Sequence, residues 1–156
     1  MDAEGITVRR EIVISASPET VWDFLVDPAK AVRWMGVRAS LEPRPGGRYQ
    51  VEVLPGDVAA GVFIEVDPPS RLVHTWGWAS GGRGDMPEGS TTVEYQLTAV
   101  ESGTLLRLTH SRLPNEMAAA NHERGWRHYL ERLAAGAAGD LKSADPWVEE
   151  GVPWRA

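Results

Sequence analysis

The chain has 156 residues, a length that suits one domain with a buried core. Its 16 lysines and arginines against 22 aspartates and glutamates give a net charge of −6, so we expect no nucleic-acid partner. The sequence contains no cysteine, which excludes disulfides, thiolate metal ligands and thiol nucleophiles.

The N-terminal part of the chain is predicted to form one strand and two short helices. Residues 1–10 lack the apolar segment of a secretory signal, and no apolar run is long enough to cross a bilayer. We therefore expect a cytoplasmic protein without a membrane partner. Residues 5–17, GITVRREIVISAS, alternate between apolar and polar side chains as a strand does. Ser17 and Asp27, each followed by a proline, are suited to be the N-caps of two consecutive helices.

Residues 37–113 are predicted to form six further strands in an antiparallel meander. Residues typical of turns separate the apolar segments at positions 46–47, 55–57 and 102–103. The triplet Arg-Gly-Asp at residues 83–85 lies in a glycine-rich run, and we interpret it as a loop tip rather than a recognition motif.

A long helix is expected to follow the last strand. Apolar positions recur at helical spacing after the turn at Pro114, which predicts a helix from about Asn115 to Ala138. Gly125 is interpreted as a position where this helix approaches the sheet or a ligand closely.

The C-terminal residues lack helical periodicity but carry two tryptophans, Trp147 and Trp154. Two exposed indoles so close together would leave much apolar surface in water, so we expect both to pack on the domain or on a partner subunit. We therefore divide the chain into a single domain at residues 1–144 and a C-terminal tail at residues 145–156.

Several motifs follow one another along most of the chain; they include SPETVWDFLVDP, PGGRYQVEV, GVFIEVDPPSRLVHTWGW and HERGWRHYLERL. With the order of the predicted elements, they resemble the START-like (helix-grip, SRPBCC) superfamily, in its branch of activator of heat-shock-protein-90 ATPase homologues. The resemblance implies an α+β helix-grip fold, in which a seven-stranded antiparallel sheet is wrapped around the long C-terminal helix and two short helices follow strand 1. This scaffold is used for ligand binding, cyclisation and chaperone regulation alike.

Strand parity predicts a cluster of aromatic and histidine side chains inside the fold. Alternate residues of a strand share one face, and we take the apolar face of each strand as the inward one. With the inward stripe of the long helix, this face supplies the candidate ligand-binding residues His74, Trp76, Trp78, Tyr95, His110, His122 and Trp126. An apolar lining with a few polar groups is typical of small-molecule cavities. We therefore predict a cavity between helix and sheet for a small hydrophobic or aromatic molecule of lipid-like or polyketide-like kind.

Three other interpretations of these residues stay open. Each histidine taken singly is more often a core residue whose ring nitrogens are satisfied by neighbouring groups. His74 or His110 as a general base, with Tyr95 as a hydrogen-bond donor, would instead make a cyclase- or hydrolase-like enzyme, which is the less favoured reading. We expect no cofactor and no metal, because no H-x-E or H-E-x-x-H spacing supports a zinc site of His74, His110 and His122.

The resemblance also implies protein partners. An interaction module acting on the heat-shock chaperone is the alternative to ligand binding, although we expect a lone domain without the additional domain of the full activators of that family. A homodimer is the remaining alternative. Binding of a small hydrophobic molecule is the function that we favour from the sequence.

Overall fold

The computed structural model describes residues 5–79, 86–141 and 143–153. The Arg-Gly-Asp triplet and Trp154, for which the sequence made predictions, lie outside these residues. The elements are β1 (Ile6–Ile14), α1 (Pro18–Val26), α2 (Pro28–Trp34), β2 (Arg38–Leu41), β3 (Arg48–Leu54), β4 (Asp57–Asp67), β5 (Arg71–Trp76), β6 (Thr91–Val100), β7 (Gly103–Leu113), α3 (Glu116–Ala137) and α4 (Pro146–Glu150). Within the described ranges, no helix combines the length and apolar character required to span a membrane.

The strands form one antiparallel sheet in the order β1-β7-β6-β5-β4-β3-β2. Its register places His74 of β5 opposite Val93 of β6, which lies opposite His110 of β7. Directly paired residues share a face, so two histidines that are far apart in sequence lie on the same inward face. The predicted seven-stranded antiparallel sheet is confirmed, and so is the α+β helix-grip fold.

The two short helices after β1 begin where the sequence predicts. The side chain of Ser17 accepts a hydrogen bond from the backbone N–H of Thr20 over 3.2 Å. Asp27 ends α1 and caps α2, since its carboxylate accepts from the N–H of Ala29 over 2.9 Å. The Trp34 indole donates to the backbone oxygen of Phe24 over 2.8 Å, which fixes α2 against α1.

The long helix α3 packs its apolar stripe against the inside of the sheet. Its buried residues are Trp126, Tyr129, Leu130, Leu133 and Gly136. Asn115 caps the helix by accepting a hydrogen bond from the N–H of Ala118 over 2.9 Å, and Ala138 is the C-cap. The predicted helix bounds are therefore the two cap residues.

The C-terminal segment, by which we mean residues 143–153, returns to the body of the domain. Although its sequence lacks helical periodicity, residues Pro146–Glu150 form the short helix α4. Asp145 caps α4 by accepting from the N–H of Trp147 over 3.0 Å. The Trp147 indole stacks on the imidazole of His128 in α3, with ring centroids 3.5 Å apart, as expected for an indole that packs on the domain.

Candidate functional site

A cavity of about 370 Å³ lies between the N-terminal half of α3, the β3–β4 turn, the end of β5 and the C-terminal segment. Most of its lining is apolar or aromatic, and its walls come from elements that are distant in sequence. The lining residues are Met35, Val53, Leu54, Asp57, Trp76, Trp78, Met86, Pro114, Asn115, Met117, Ala118, Asn121, His122, Gly125, Trp126, Tyr129, Trp147 and Val152.

The candidate residues from the sequence form one connected cluster of rings, in two layers. Trp76, Trp78, His122 and Trp126 line the cavity. His74, Tyr95 and His110 do not line it and are buried, with exposed fractions of 2% or less. Trp76 connects the two layers, since its ring centroid lies 5.5 Å from that of Trp126 and 5.9 Å from that of His110.

His122 is held by a hydrogen bond at each ring nitrogen. Its Nδ1 lies 2.8 Å from the backbone oxygen of Ala118, one helical turn earlier. Because a carbonyl oxygen only accepts, Nδ1 carries the proton in this arrangement. The Trp76 indole donates to Nε2 over 3.3 Å, so the imidazole is neutral. An imidazole at the start of the apolar stripe is therefore satisfied by the helix backbone and by an indole.

His110 repeats this arrangement one layer deeper. The Trp126 indole donates to its Nδ1 over 3.0 Å, and its Nε2 lies 2.8 Å from the Thr91 hydroxyl. That hydroxyl donates to the backbone oxygen of Trp76 over 2.6 Å, which leaves its lone pairs to accept from Nε2–H. Burial lowers the pKa of His110 well below 6.5, and the neighbouring His122 and His74 lower this pKa further. His110 is accordingly a neutral core residue.

His74 lies at the bottom of the cluster, stacked on Tyr49 with centroids 3.7 Å apart. Its Nδ1 donates to the backbone oxygen of Thr75 over 2.8 Å, whereas its Nε2 is buried without a hydrogen-bond partner. Burial lowers the pKa of His74 to about 4, although the bond to Thr75 acts in the opposite direction. Burial also raises the pKa of Tyr95. These groups reach the cavity only through other side chains.

This geometry bears on the catalytic and metal interpretations. Both ring nitrogens of His110 are engaged within the core, and neither His74 nor Tyr95 lines the cavity. In the parts of the chain that the structure describes, no three histidine, aspartate or glutamate side chains are placed to hold a metal ion. The arrangement is suited to binding an apolar molecule beside one neutral imidazole, rather than to proton transfer from the deeper histidines.

Several residues of the cavity and its cluster were missed by the sequence analysis. Tyr129 follows Trp126 at helical spacing, and Tyr49 alternates with the buried Val51 along β3, so periodicity contained a signal for both. The role of Trp147 as a lining residue depends on contacts between distant parts of the chain, which periodicity does not reveal. The interpretation of Gly125 as a close approach to the sheet was wrong, since an added Cβ would meet no atom within 4 Å.

Comparison with known proteins gives a family and solved relatives. Residues 15–138 match the family described as Activator of Hsp90 ATPase homolog 1-like protein. The AHSA1-like protein of Rhizobium etli is 46% identical, with a TM-score of 0.73 over 91% of this chain and 88% of that one. A protein of Mesorhizobium loti is 26% identical, with a TM-score of 0.73 over 84% and 96%. The Aha1 dimer of Colwellia psychrerythraea, at 22% identity, shares the fold, with a TM-score of 0.74 over 88% and 99%. None of the curated proteins compared with the chain matches its sequence.

Proposed function

The chain belongs to the Activator of Hsp90 ATPase homolog 1-like family, and we propose that it binds a small apolar or aromatic molecule in the cavity beneath α3. The observation that carries this proposal is the cavity wall formed by Trp76, Trp78 and Trp126 beside the neutral imidazole of His122. Indole rings offer large contact areas and flat faces, which favour planar apolar ligands.

The size of the cavity supports this proposal. Small-molecule sites are typically about 300–1,000 Å³ with a mostly apolar lining and a few polar groups. At about 370 Å³, this cavity has room for a molecule of two or three fused rings. Asp57, Asn121 and His122 are polar lining residues, and they would orient a polar substituent of such a ligand.

We propose that His122 orients the bound ligand. The bond from Trp76 to its Nε2 is 3.3 Å long, which is at the weak end of the range for this type of bond. A ligand hydroxyl that donates to the same nitrogen would therefore compete with a weak interaction. The Nδ1 bond to Ala118 keeps the ring in place during this exchange.

Gly125 provides a direct test, because it lines the cavity and an added Cβ there meets no atom within 4 Å. We expect Gly125→Phe to occupy part of the cavity and to weaken binding of a fluorescent naphthalene sulfonate by about tenfold or more, which corresponds to at least about 1.4 kcal/mol. Gly125→Ala is the matched control, since it changes the helix backbone in the same way and leaves most of the cavity empty. Native mass spectrometry of gently purified protein would show whether a cellular molecule is retained.

Equal probe affinity in wild type, Gly125→Ala and Gly125→Phe would contradict the proposal, because the probe would then bind elsewhere. Thermal unfolding of each variant is the necessary companion measurement, since this type of probe also binds partly unfolded protein.

The family description favours one second candidate, an interaction with a heat-shock chaperone. Co-purification with the chaperone tests it, and the Gly125→Phe variant separates the two functions. A chaperone interaction through the outer surface would be unchanged in this variant, whereas ligand binding would be weakened. The proposal of a homodimer is tested by sedimentation of the same samples.

A further inference from the structure

We infer that the C-terminal segment is one wall of the ligand site and that His128 positions Trp147 in that wall. Trp147 and Val152 both line the cavity, together with residues contributed by α3 and β5. This inference rests on the proposed function, because it concerns binding in the same cavity. It adds a part of the chain, residues 143–153, and a histidine that sequence periodicity did not select.

The position of Trp147 is fixed by two aromatic contacts with α3. Its ring is parallel to that of His128, with an angle of 6° and centroids 3.5 Å apart. It meets Tyr129 edge to face, at 5.6 Å and 83°. Tyr129 also lines the cavity, so these two perpendicular rings form a corner that a flat ligand can occupy.

The same histidine also holds the start of α4. Its Nε2 lies 2.8 Å from Oδ1 of Asp145, and this oxygen accepts from the backbone N–H of Trp147 as well. The Arg132 guanidinium lies near the other carboxylate oxygen, with Nε 4.0 Å from Oδ2. Although burial acts to raise it, the pKa of Asp145 is lowered by the His128 and Trp147 hydrogen bonds and by the charges of His128 and Arg132.

His128 therefore contacts the segment in two ways, and both contacts hold the side chain of Trp147 in place. One contact is the hydrogen bond to the carboxylate that caps α4, and the other is the ring stack on Trp147. A helix of five residues has little stability by itself, so its position depends on such contacts. Loss of His128 should displace Trp147 without removing any residue that lines the cavity.

Ligand binding and docking of the segment must then favour each other. A ligand that touches Trp147 binds the docked state better than the undocked state, and linkage requires that it raise the population of the docked state. This coupling can be measured in two ways. One is the effect of the segment on the affinity for a probe, and the other is the effect of bound probe on proteolysis of the segment.

The first experiment measures binding of a fluorescent naphthalene sulfonate to the full chain and to four variants. We expect Trp147→Ala to weaken binding about threefold to tenfold, as loss of an aromatic contact predicts, and Trp147→Phe to restore most of it. His128→Ala should weaken binding to a similar extent. Arg127→Ala, an exposed neighbour on α3, is the matched control and should bind as wild type does.

Non-additivity separates a positioning role from general destabilisation. In the Trp147→Ala background, His128→Ala should cause no further loss of affinity, because the side chain that it positions is already absent. Losses that multiply in the double variant would overturn the role of His128. If Trp147→Ala bound the probe with full affinity while Gly125→Phe weakened binding as expected, the inference would be overturned and the proposed function would stand.

The second experiment measures cleavage by a glutamate-specific protease at the exposed Glu149 and Glu150 of α4. A probe concentration that just saturates wild type should slow this cleavage in wild type and have a much smaller effect in Gly125→Phe, which binds the probe more weakly. Cleavage at the same rate with and without bound probe would overturn the coupling. Absence of probe binding to wild type itself would overturn both the proposed function and this inference.

Discussion

The indole nitrogen of Trp126 lies 3.0 Å from Nδ1 of His110, in a core where both side chains are at most 3% exposed. Trp76 donates to His122 in the same way, one layer nearer the cavity. In each pair, the imidazole accepts from an indole and donates its own proton to a nearby oxygen. The His110 and Trp126 rings are thereby buried at little cost, and the half-buried His122 is satisfied in the same way, because donors and acceptors pair with each other.

The first prediction concerns the bond between Trp126 and His110. We expect Trp126→Phe to cost about 1–3 kcal/mol of unfolding free energy, because it leaves Nδ1 of His110 buried without a donor. His110→Phe should cost a similar amount. In the double variant the two costs overlap by about 1 kcal/mol, which urea unfolding at pH 8 would measure as a coupling energy. Strictly additive costs would show that the bond contributes nothing to stability.

The second prediction concerns pH and His74. Its pKa is about 4 in the folded protein and 6.5 in an unstructured peptide, so between these values the unfolded chain binds the proton and the folded chain does not. Stability must therefore decrease as the pH falls from 6.5 to 4, by about 3 kcal/mol from this residue. His74→Phe keeps a ring against Tyr49 and removes the titration. Unfolding at pH 7 and pH 5 should show a smaller pH dependence in the variant; an unchanged slope would mean that His74 does not remain neutral.

The sequence was sufficient to predict the fold and the inward face of the sheet. Burial along β7 alternates as parity requires, with Leu106, Leu108 and His110 inside and Arg107 exposed. Cap residues marked the helix starts, since Ser17, Asp27 and Asn115 have side chains that hydrogen-bond the first helical turn. Alternation along strands and cap residues of helices predict structure where one face of an element is buried and the other is exposed to solvent.

The sequence pattern did not predict how deep each side chain lies in the core, nor which distant segments contact each other. Parity assigned His74 and Trp76 to one face but did not reveal that, of these two, only Trp76 lines the cavity, because depth depends on how the side chains above pack. The pair of His128 and Asp145 joins α3 to a segment with no apolar periodicity. Asp145 followed by Pro146 is a local signal for the start of α4, but the contact of Asp145 with His128 is encoded by no local pattern.

The third prediction uses Gly125 and Gly136, two glycines of α3. Replacing glycine by alanine in a helix interior reduces the entropy lost on folding and stabilises by about 0.5–1 kcal/mol where there is room. Gly125→Ala should show this gain, because its Cβ would meet nothing within 4 Å. Gly136→Ala is the comparison, since its Cβ would lie 3.3 Å from the Phe24 ring and the gain should be smaller or absent. Thermal unfolding of the two variants measures this difference in stability. A destabilised Gly125→Ala variant would contradict the presence of open space beside Gly125.

The fourth prediction is that truncation after Ala144 lowers the melting temperature. The truncated chain loses the indole of Trp147, the buried Val152 and the carboxylate that pairs with His128. Burial of two apolar side chains is worth about 2–4 kcal/mol before the entropy of ordering the segment is subtracted. Calorimetry and sedimentation should therefore show a less stable protein, with either the same or a changed oligomeric state. An unchanged melting temperature would mean that the segment is not bound to the domain in solution.

The last prediction concerns His122, which lies where the helix faces the cavity. Its Nδ1 bond is local to the helix, and the 3.3 Å bond from Trp76 is weak, so His122→Ala should cost only about 1 kcal/mol of stability. If His122 orients the ligand, the same variant should weaken binding of a naphthalene sulfonate by severalfold. Glu123→Ala is the control, because that exposed neighbour makes a surface ion pair with Arg10 at 3.7 Å, and such pairs contribute little. Unfolding and probe titration together distinguish the roles: a large loss of stability with unchanged probe affinity would make His122 a core residue, because the bond to Trp76 would then serve packing alone.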